Sequence, residues 1–341
     1  MEDMLVDGLF HGDREARIQA ATELAKLSRR QKHMLVERGI IAPLVSMLGS
    51  QDYEAIEAAL LSLLSLAFGS ERNKNQIVKS GVVPVLLELL QCQSATLVEL
   101  TVAAMLILSS CMANKLVIAS SGAIQLLVEM LSGDFADDDN SNYNSSVSIQ
   151  AKLDAIATLH NLSTCHQVIP PMVSSGAIYC LLQLIHTSEK SSELAEKAIA
   201  LLENVVSLSE NALQQMAATG GAIRSLVETI EEGSPQCKEH AVGVLLLICQ
   251  SRRDKYRSSI LREGVMPGLL QLGVDGTRRA KHMARELLLL LRDCSNYDSR
   301  SKQLRHELLE QIMQEIDAEG DEVAGTTLRL VEEMIAKLST G

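Results

Sequence analysis

One seven-residue pattern recurs along the chain and limits its fold more than any other feature. A small residue is followed by leucine four positions later and by a variable position, here called the slot, two positions after that. The small residues are Ala20, Ala59, Val102, Ala155, Ala198, Ala241 and Ala284, and the leucines are Leu24, Leu63, Leu106, Leu159, Leu202, Leu245 and Leu288. The slots are Lys26, Ser65, Leu108, Asn161, Asn204, Leu247 and Leu290, which are 39, 43, 53, 43, 43 and 43 residues apart. Such a period is typical of stacked helical repeats, because one repeat cannot bury its own apolar face.

A glycine recurs in phase with this pattern. It is found at Gly39, Gly81, Gly122, Gly176, Gly221 and Gly264, each followed by an apolar stretch with a leucine five residues later. Glycine suits the end of a helix, where a left-handed conformation turns the chain. Pro43, Pro84 and Pro267 then occupy the first turn of the next helix, where a missing N–H costs little. Each repeat is therefore predicted to contain a short helix, a glycine turn, a second helix and a longer third helix.

Three helices per repeat, with Gly-(Ala/Val)-Ile before the second helix, resembles the armadillo (ARM) repeat over residues 4 to 292. The resemblance implies an all-α fold, a right-handed α-solenoid superhelix. The runs 263–272, 276–281 and 287–292 are similar to the last repeats of plant U-box/armadillo proteins. Proteins of that family attach ubiquitin through an N-terminal U-box, and their repeats hold a substrate or a receptor kinase. No U-box precedes the first repeat, so the sequence is either a stand-alone repeat protein or a piece of a longer one.

We expect two parts in the chain. Residues 1–292 are predicted to form about seven armadillo repeats, the first of them partial, with a flexible acidic insert at 132–146. Residues 293–341 are predicted to form a C-terminal helical cap. The insert is either a tolerated surface loop or a phosphorylation site, since Ser141, Ser145 and Ser146 follow acidic residues. Pro170-Pro171 is expected to shorten the first helix of one repeat.

Charge and composition exclude several kinds of partner. The net charge is −12, of which the insert contributes −4 and residues 293–341 contribute −6. An acidic chain without a basic groove is unsuited to nucleic acid. No uninterrupted apolar stretch is long enough for membrane insertion, and an acidic N-terminus argues against secretion. Seven scattered cysteines without a C-x-x-C are typical of reduced thiols. We therefore expect a cytoplasmic protein, with the nucleus as a further location.

The sequence contains no pattern that predicts catalysis. It has no phosphate-binding glycine loop, no metal-ligand spacing among its histidines and no nucleophile elbow, so we expect no catalytic residue, metal, cofactor or small-molecule substrate. Function is instead expected on the third helices. In armadillo proteins these helices line the concave face, where a ladder of Asn at the slot binds the backbone of an extended peptide.

Only Asn161 and Asn204 match that ladder. Nuclear-import receptors also carry Trp four residues before the slot, and the corresponding residues here are Thr22, Leu61, Ala104, Ala157, Ala200, Gly243 and Glu286, which disfavours that function. The candidate partner-binding residues are Lys26, Ser65, Asp154, Asn161, Lys197, Asn204 and His240, and basic residues over 252–257 and 278–285 form a further candidate set. The first functional hypothesis is a non-catalytic scaffold or adaptor that binds a protein partner, either an extended segment or a receptor kinase. The alternative is the substrate-recognition part of a U-box ubiquitin ligase.

Overall fold

The computed structural model describes residues 2–133 and 147–292, and every regular element within those ranges is a helix. The first helices of the repeats are α3 (Arg29–Glu37), α6 (Glu71–Lys79), α9 (Lys115–Ser120), α12 (Ile169–Ser174), α15 (Glu210–Ala218) and α18 (Arg253–Arg262). The second helices are α1 (Glu2–His11), α4 (Ile41–Leu48), α7 (Val82–Leu90), α10 (Ala123–Ser132), α13 (Ala177–Thr187), α16 (Ala222–Glu232) and α19 (Met266–Asp275). The third helices are α2 (Arg14–Ala25), α5 (Tyr53–Ala67), α8 (Ala95–Ser109), α11 (Ile149–Ser163), α14 (Glu193–Leu208), α17 (Pro235–Ser251) and α20 (Arg278–Leu291). The predicted all-α, three-helix repeat is confirmed.

Side chains that accept backbone hydrogen bonds define where most third helices begin. A side-chain oxygen accepts a bond from the N–H two or three residues later at Asp13, Asp52, Ser94, Ser148, Ser234 and Thr277. Such a bond satisfies a donor that the first turn of a helix leaves unpaired. These caps fix where six of the third helices begin, independently of the apolar pattern of each helix.

The glycine turns have the predicted conformation. All six glycines that precede a second helix have φ between +76° and +94°. At Gly81, for example, φ is +83°, where any side chain with a Cβ would be strained. Pro43 and Pro84 are the third residues of α4 and α7, and Pro267 is the second residue of α19, as predicted. The glycine and proline pattern therefore marks the turn between the first and second helices.

The helices group into two compact bodies, which are described separately. Among the described residues, the N-terminal body contains residues 2–133, 147–188 and 193–212, and the C-terminal body contains residues 189–192 and 213–292. In the N-terminal body, the third helices α2, α5, α8, α11 and α14 pack side by side in chain order. In the C-terminal body, α17 packs against α20, with α16 and α19 alongside. Every small residue of the recurring pattern is buried, which is what stacking of neighbouring repeats requires.

The first helix at Pro170-Pro171 is short, as expected. This α12 has six residues and follows a 3₁₀ turn at His166–Val168. The preceding repeat has the same construction without proline: α9 also has six residues and follows a 3₁₀ turn at Met112–Asn114. A short first helix therefore also forms in a repeat that lacks proline.

Two predicted segments, residues 134–146 of the insert and the cap at 293–341, lie outside the described residues. No single helix in the described ranges is long and apolar enough to cross a membrane. Two pairs of helices, Ala95–Ser109 with Met112–Ser120 and His166–Ser174 with Ala177–Thr187, reach that length and apolar composition only when the two helices are taken together, and each pair is bent between its helices. The six cysteines in the described part of the chain form no disulfide with one another, and four of them are buried.

Candidate functional site

The polar slot residues on α5, α11 and α14 each form a hydrogen bond to the third helix before their own. Ser65 Oγ on α5 donates to the carbonyl oxygen of Ala25 at 2.9 Å. Asn161 Nδ2 on α11 donates to Ser109 Oγ at 3.1 Å and to the carbonyl oxygen of Leu106 at 3.3 Å. Asn204 Nδ2 on α14 donates to Ser163 Oγ at 2.6 Å. The slot therefore has a structural role: its donors face the neighbouring repeat.

The predicted phase of α8 is wrong by one residue. The capping residues Ser94 and Ser148 begin two 15-residue helices and are 54 positions apart, whereas the sequence pattern paired Leu106 with Leu159 at 53. Burial agrees with the caps, because Met105 is 0% exposed while Leu106 is only half-buried. The slot on α8 is therefore half-buried Ile107, whereas the predicted slot, Leu108, is 3% exposed and belongs to the core.

The remaining predicted partner-binding residues are dispersed. Lys26 is exposed at the end of α2. Lys197 is exposed on α14, with its Nζ 3.8 Å from Glu193 Oε1. His240 lies half-buried on α17 in the C-terminal body. Six of the seven predicted residues therefore lie on the third helices of the N-terminal body or at their ends: Lys26, Ser65, Asp154, Asn161, Lys197 and Asn204. The seventh, His240, lies in the C-terminal body.

Asp154 is the sixth predicted residue on this body, and its carboxylate has an unfavourable environment. Burial raises the pKa of Asp154, and the nearby charge of Glu99 on α8 raises it further, although Gln150 Nε2 donates to its Oδ1 at 2.9 Å. Two carboxylates from adjacent third helices are thus close enough to repel each other.

Two rows of residues cover the exposed side of the third helices from α5 to α14. The acidic row, about two turns before the slot, consists of Glu57, Glu99, Asp154 and Glu196. The neutral row consists of the residues that are not buried in the C-terminal halves of the same helices, within residues 61–68, 103–110, 157–164 and 200–207, and its titratable residue is His160. Together we call these rows the third-helix face.

The neutral row carries apolar side chains that the sequence analysis did not assign to binding. Leu61 is 44% exposed and Phe68 at the end of α5 is 78% exposed. Leu61 was noted only as the residue that replaces Trp, and Phe68 was not singled out. Their position, one turn before and one turn after the slot, was the available signal.

A row of lysines on the first helices was also missed. Lys32 Nζ donates to Ser65 Oγ and to the carbonyl oxygen of Ala25, at 2.5 and 3.0 Å. The next two repeats place a lysine in the same relation to a hydroxyl at the end of the third helix: Lys74 Nζ donates to Ser110 Oγ, and Lys115 Nζ donates to Thr164 Oγ1. A cation is favourable at the C-terminus of a helix because the terminal carbonyl groups carry partial negative charge. These lysines therefore stabilise the ends of the third helices.

In the C-terminal body, much of the basic candidate set binds within the chain. Arg253 Nε donates to the carbonyl oxygen of Leu290 at 2.5 Å, and Arg257 Nε donates to that of Leu291 at 2.7 Å. Arg279 donates to Glu239 at 3.1 Å. Burial acts to raise the pKa of Glu239, but the bonds from Thr277 and Arg279 lower it overall. These charges have structural partners, so the basic set is a weaker candidate than the third-helix face.

The described ranges contain no group of three or more His, Cys, Asp or Glu residues placed to hold a metal ion. What the third-helix face offers chemically is hydrogen-bond acceptors, carboxylates and exposed apolar side chains. These groups suit binding of a polypeptide.

Comparison with known proteins agrees with the repeat geometry. The family model for the plant U-box protein ARM repeat region matches residues 138–308, half of the chain, and the armadillo/β-catenin-like repeat model matches residues 70–110. The chain belongs to the family of plant U-box protein ARM repeat regions. The armadillo resemblance and its plant U-box variant are thus confirmed.

Two relatives from Arabidopsis thaliana are similar to part of the chain. U-box domain-containing protein 45 is 30% identical over 199 residues, which are 58% of this chain and 24% of that protein. U-box domain-containing protein 17 is 30% identical over 153 residues, 45% of this chain and 20% of that protein. The match therefore covers less than a quarter of either relative.

Solved structures of designed armadillo repeat proteins share the fold. One covers 72% of this chain and 99% of its own, with a TM-score of 0.61 and 21% identity. Another, in complex with the peptide (KR)4, covers 85% of this chain and 99% of its own, with a TM-score of 0.51 and 18% identity. The ARM solenoid is thus established by both sequence and structure, and this fold is typical of protein-binding scaffolds.

Proposed function

We propose that this chain is a non-catalytic scaffold that binds a protein partner on the third-helix face of the N-terminal body. The observation that carries the proposal is the exposure of Leu61 and Phe68 beside the acidic row, on third helices that pack side by side in chain order. Exposed apolar side chains rimmed by polar ones are typical of protein-binding surfaces. The designed armadillo protein that binds a peptide is similar in fold and supports the proposal.

The test places a photo-reactive amino acid at Phe68 in the full chain expressed in plant cells. Tyr179 on α13 is the matched control position, because it is an aromatic residue with 59% exposure on a second helix. We expect cross-linked partners from position 68 that are lost in Leu61→Ala and absent from position 179. Equal cross-linking from both positions would contradict the proposal.

The second candidate function is substrate recognition in a U-box ubiquitin ligase system. It is supported by the family match over residues 138–308 and by the two Arabidopsis relatives. The test measures ubiquitin conjugates on the cross-linked partner in plant extract, with wild-type chain or with the Leu61→Ala/Phe68→Ala variant. Conjugation that depends on an intact third-helix face would support this candidate, and conjugation that is unchanged by the variant would exclude it.

We also propose that the protein acts in the cytoplasm, with the nucleus as a further location. The buried thiols support this proposal, because a chain of this cysteine content in an oxidising compartment is expected to form disulfides. Fractionation of plant cells with an antibody against the chain would test it, and recovery in the secreted fraction would contradict it.

A further inference from the structure

We propose that the acidic segment 293–341 of the chain binds the outer side of α20 and is held there by ion pairs. The outer side of α20, here called the α20 stripe, consists of His282, Arg285, Leu289 and Arg292. The inference goes beyond the proposed function and concerns only the C-terminal body. It gives the predicted C-terminal cap a binding surface and a binding chemistry.

Hydrogen bonds between neighbouring third helices show which side of a third helix the next one covers. Ser62 Oγ on α5 donates to the carbonyl oxygen of Ala21, the eighth residue after the cap of α2. Asn204 Nδ2 on α14 donates to Ser163 Oγ, and Ser163 is the fifteenth residue after the cap of α11. The eighth and fifteenth residues after a cap therefore face the following third helix.

These two positions are buried in the capped third helices that precede α20. The eighth position is apolar and at most 1% exposed, and it holds Ala21, Leu60, Val102, Ile156 and Val242. The fifteenth position is small and at most 2% exposed, and it holds Ala67, Ser109, Ser163 and Cys249. In α20, which begins at the cap Thr277, the same two positions are Arg285 and Arg292, and both are exposed. The α20 stripe therefore carries positive charge where a further repeat would pack apolar or small residues.

The carboxylates closest to α20 are engaged with α17. Arg279 on α20 donates to Glu239 on α17, and Gln250 Nε2 on α17 donates to Glu286 Oε1 on α20 at 2.7 Å. Within the described ranges, the side chain of Arg285 forms no hydrogen bond or ion pair. The α20 stripe contains no carboxylate of its own. A carboxylate brought to Arg285 would form a charge-assisted hydrogen bond, which a guanidinium group can make with two parallel N–H donors.

The segment that follows α20 has the charge that the α20 stripe would attract. Residues 293–341 contain eleven acidic and five basic side chains. Six of the acidic side chains fall within 310–322, where there is no Lys or Arg. The segment is joined to α20, so its effective concentration at the stripe is far above that of a separate acidic protein. The carboxylates of 310–322 are therefore the occupant that charge and chain connection favour.

Apolar residues beside this acidic run match the remaining part of the α20 stripe. Leu289 lies between the two arginines and is 66% exposed. The preceding part of the segment has apolar residues four positions apart, at Leu304, Leu308, Ile312 and Ile316. This spacing is typical of an amphipathic sequence with one apolar face. An apolar contact to Leu289 would place the neighbouring carboxylates beside Arg285 and Arg292.

The test is zero-length cross-linking of the full chain with a carbodiimide. The reagent joins a lysine amine to a carboxylate as an amide, and it takes up the water that is lost to become a urea. Arg285→Lys places an amine in the α20 stripe, and Gln271→Lys, at an exposed position of the second helix α19, is the matched control. Each variant is used as an equal mixture of unlabelled and ¹⁵N-labelled chains. Mass spectrometry then separates links within one chain from links between chains.

We expect links within one chain from position 285 to carboxylates of 310–322, at least about fivefold more abundant than from position 271. They should decline at about 1 M salt, where screening shortens the range of ion pairs. Replacing the six carboxylates of 310–322 by amides should remove them. Links between chains would assign the α20 stripe to a second copy and overturn the proposal. Equal links from positions 285 and 271, or no link to 293–341, would mean that the stripe is solvated, which also overturns it.

Discussion

The corrected phase of α8 predicts opposite costs for two adjacent substitutions. Met105 is 0% exposed, and its equivalent on α11, Leu159, is also 0% exposed. Leu106 is half-buried, although the sequence pattern placed it in the core. Met105→Ala and Leu106→Ala therefore distinguish the two phases within one helix.

The magnitudes follow from burial. A fully buried Met or Leu truncated to Ala costs about 2–5 kcal/mol, since a cavity adds to the lost transfer free energy. At Leu106 part of the side chain is already in water and the site opens to solvent, so we expect a cost of about 1 kcal/mol. Met105→Ala should therefore lower the free energy of unfolding by at least about 1 kcal/mol more than Leu106→Ala.

Urea unfolding followed by circular dichroism measures this difference. Stacked repeats also unfold in parts, and a variant that did so would show a different slope of unfolding free energy against urea concentration. The two variants are therefore compared where this slope is the same in both. Val102→Ala serves as a reference, since Val102 is fully buried in either phase. A larger loss of stability in Leu106→Ala than in Met105→Ala would refute the corrected phase and restore Leu108 as the slot.

Three further predictions concern the polar contacts between repeats. Thr164→Val removes the hydroxyl that accepts a hydrogen bond from buried Lys115, and it should lower the free energy of unfolding in urea by about 1.5–3 kcal/mol. The control Thr187→Val loses only a hydrogen bond to its own helix, and it should lower this free energy by about 0.5 kcal/mol or less. Equal losses of stability in the two variants would contradict the role of Lys115. Asn161→Ala breaks two hydrogen bonds to α8 and should lower stability by about 1–2 kcal/mol, and no loss of stability would mean that the amide faces solvent. Asp154→Asn should stabilise the protein by less than about 1 kcal/mol at pH 7, because burial raises the pKa of Asp154 from 3.8 and so disfavours its charged form in the folded state. The stability that the wild type lacks relative to Asp154→Asn is regained as the pH falls through the folded-state pKa of Asp154 toward 3.8. Thermal unfolding of both proteins at pH 7 and near pH 4 should therefore show a difference in stability that shrinks on acidification. A difference that grows would contradict the direction of the pKa shift.

The sequence determined the repeat architecture but not every phase within it. The glycine turns were predictable because only glycine adopts φ near +80° without strain, so each position leaves an unambiguous mark. The third helix α8 was not, because it carries Leu, Val, Ile and Met on several sides and its apolar pattern has no single phase. Its capping Ser94 was the better guide, since a cap fixes where a helix begins whatever its apolar pattern.

The candidate site was only partly accessible from the sequence. Asn161 and Asn204 could be placed on third helices, but whether an amide donates to a partner or to the neighbouring repeat depends on side-chain orientation. Phe68 is apolar, and an apolar residue at the end of an apolar helix is expected in the core until the structure shows it exposed. The lysines of the first helices were missed for a related reason, since their partners are 33 to 49 residues away in the sequence.

Hydrogen–deuterium exchange of the chain with and without a bound partner tests the central claim most directly. The partner is the protein captured by cross-linking from position 68, and peptides from the third and second helices are compared. The account predicts slower exchange in the C-terminal halves of α5, α8, α11 and α14 and little change in α4, α7, α10 and α13. Protection confined to the second helices, with the third helices unchanged, would contradict it.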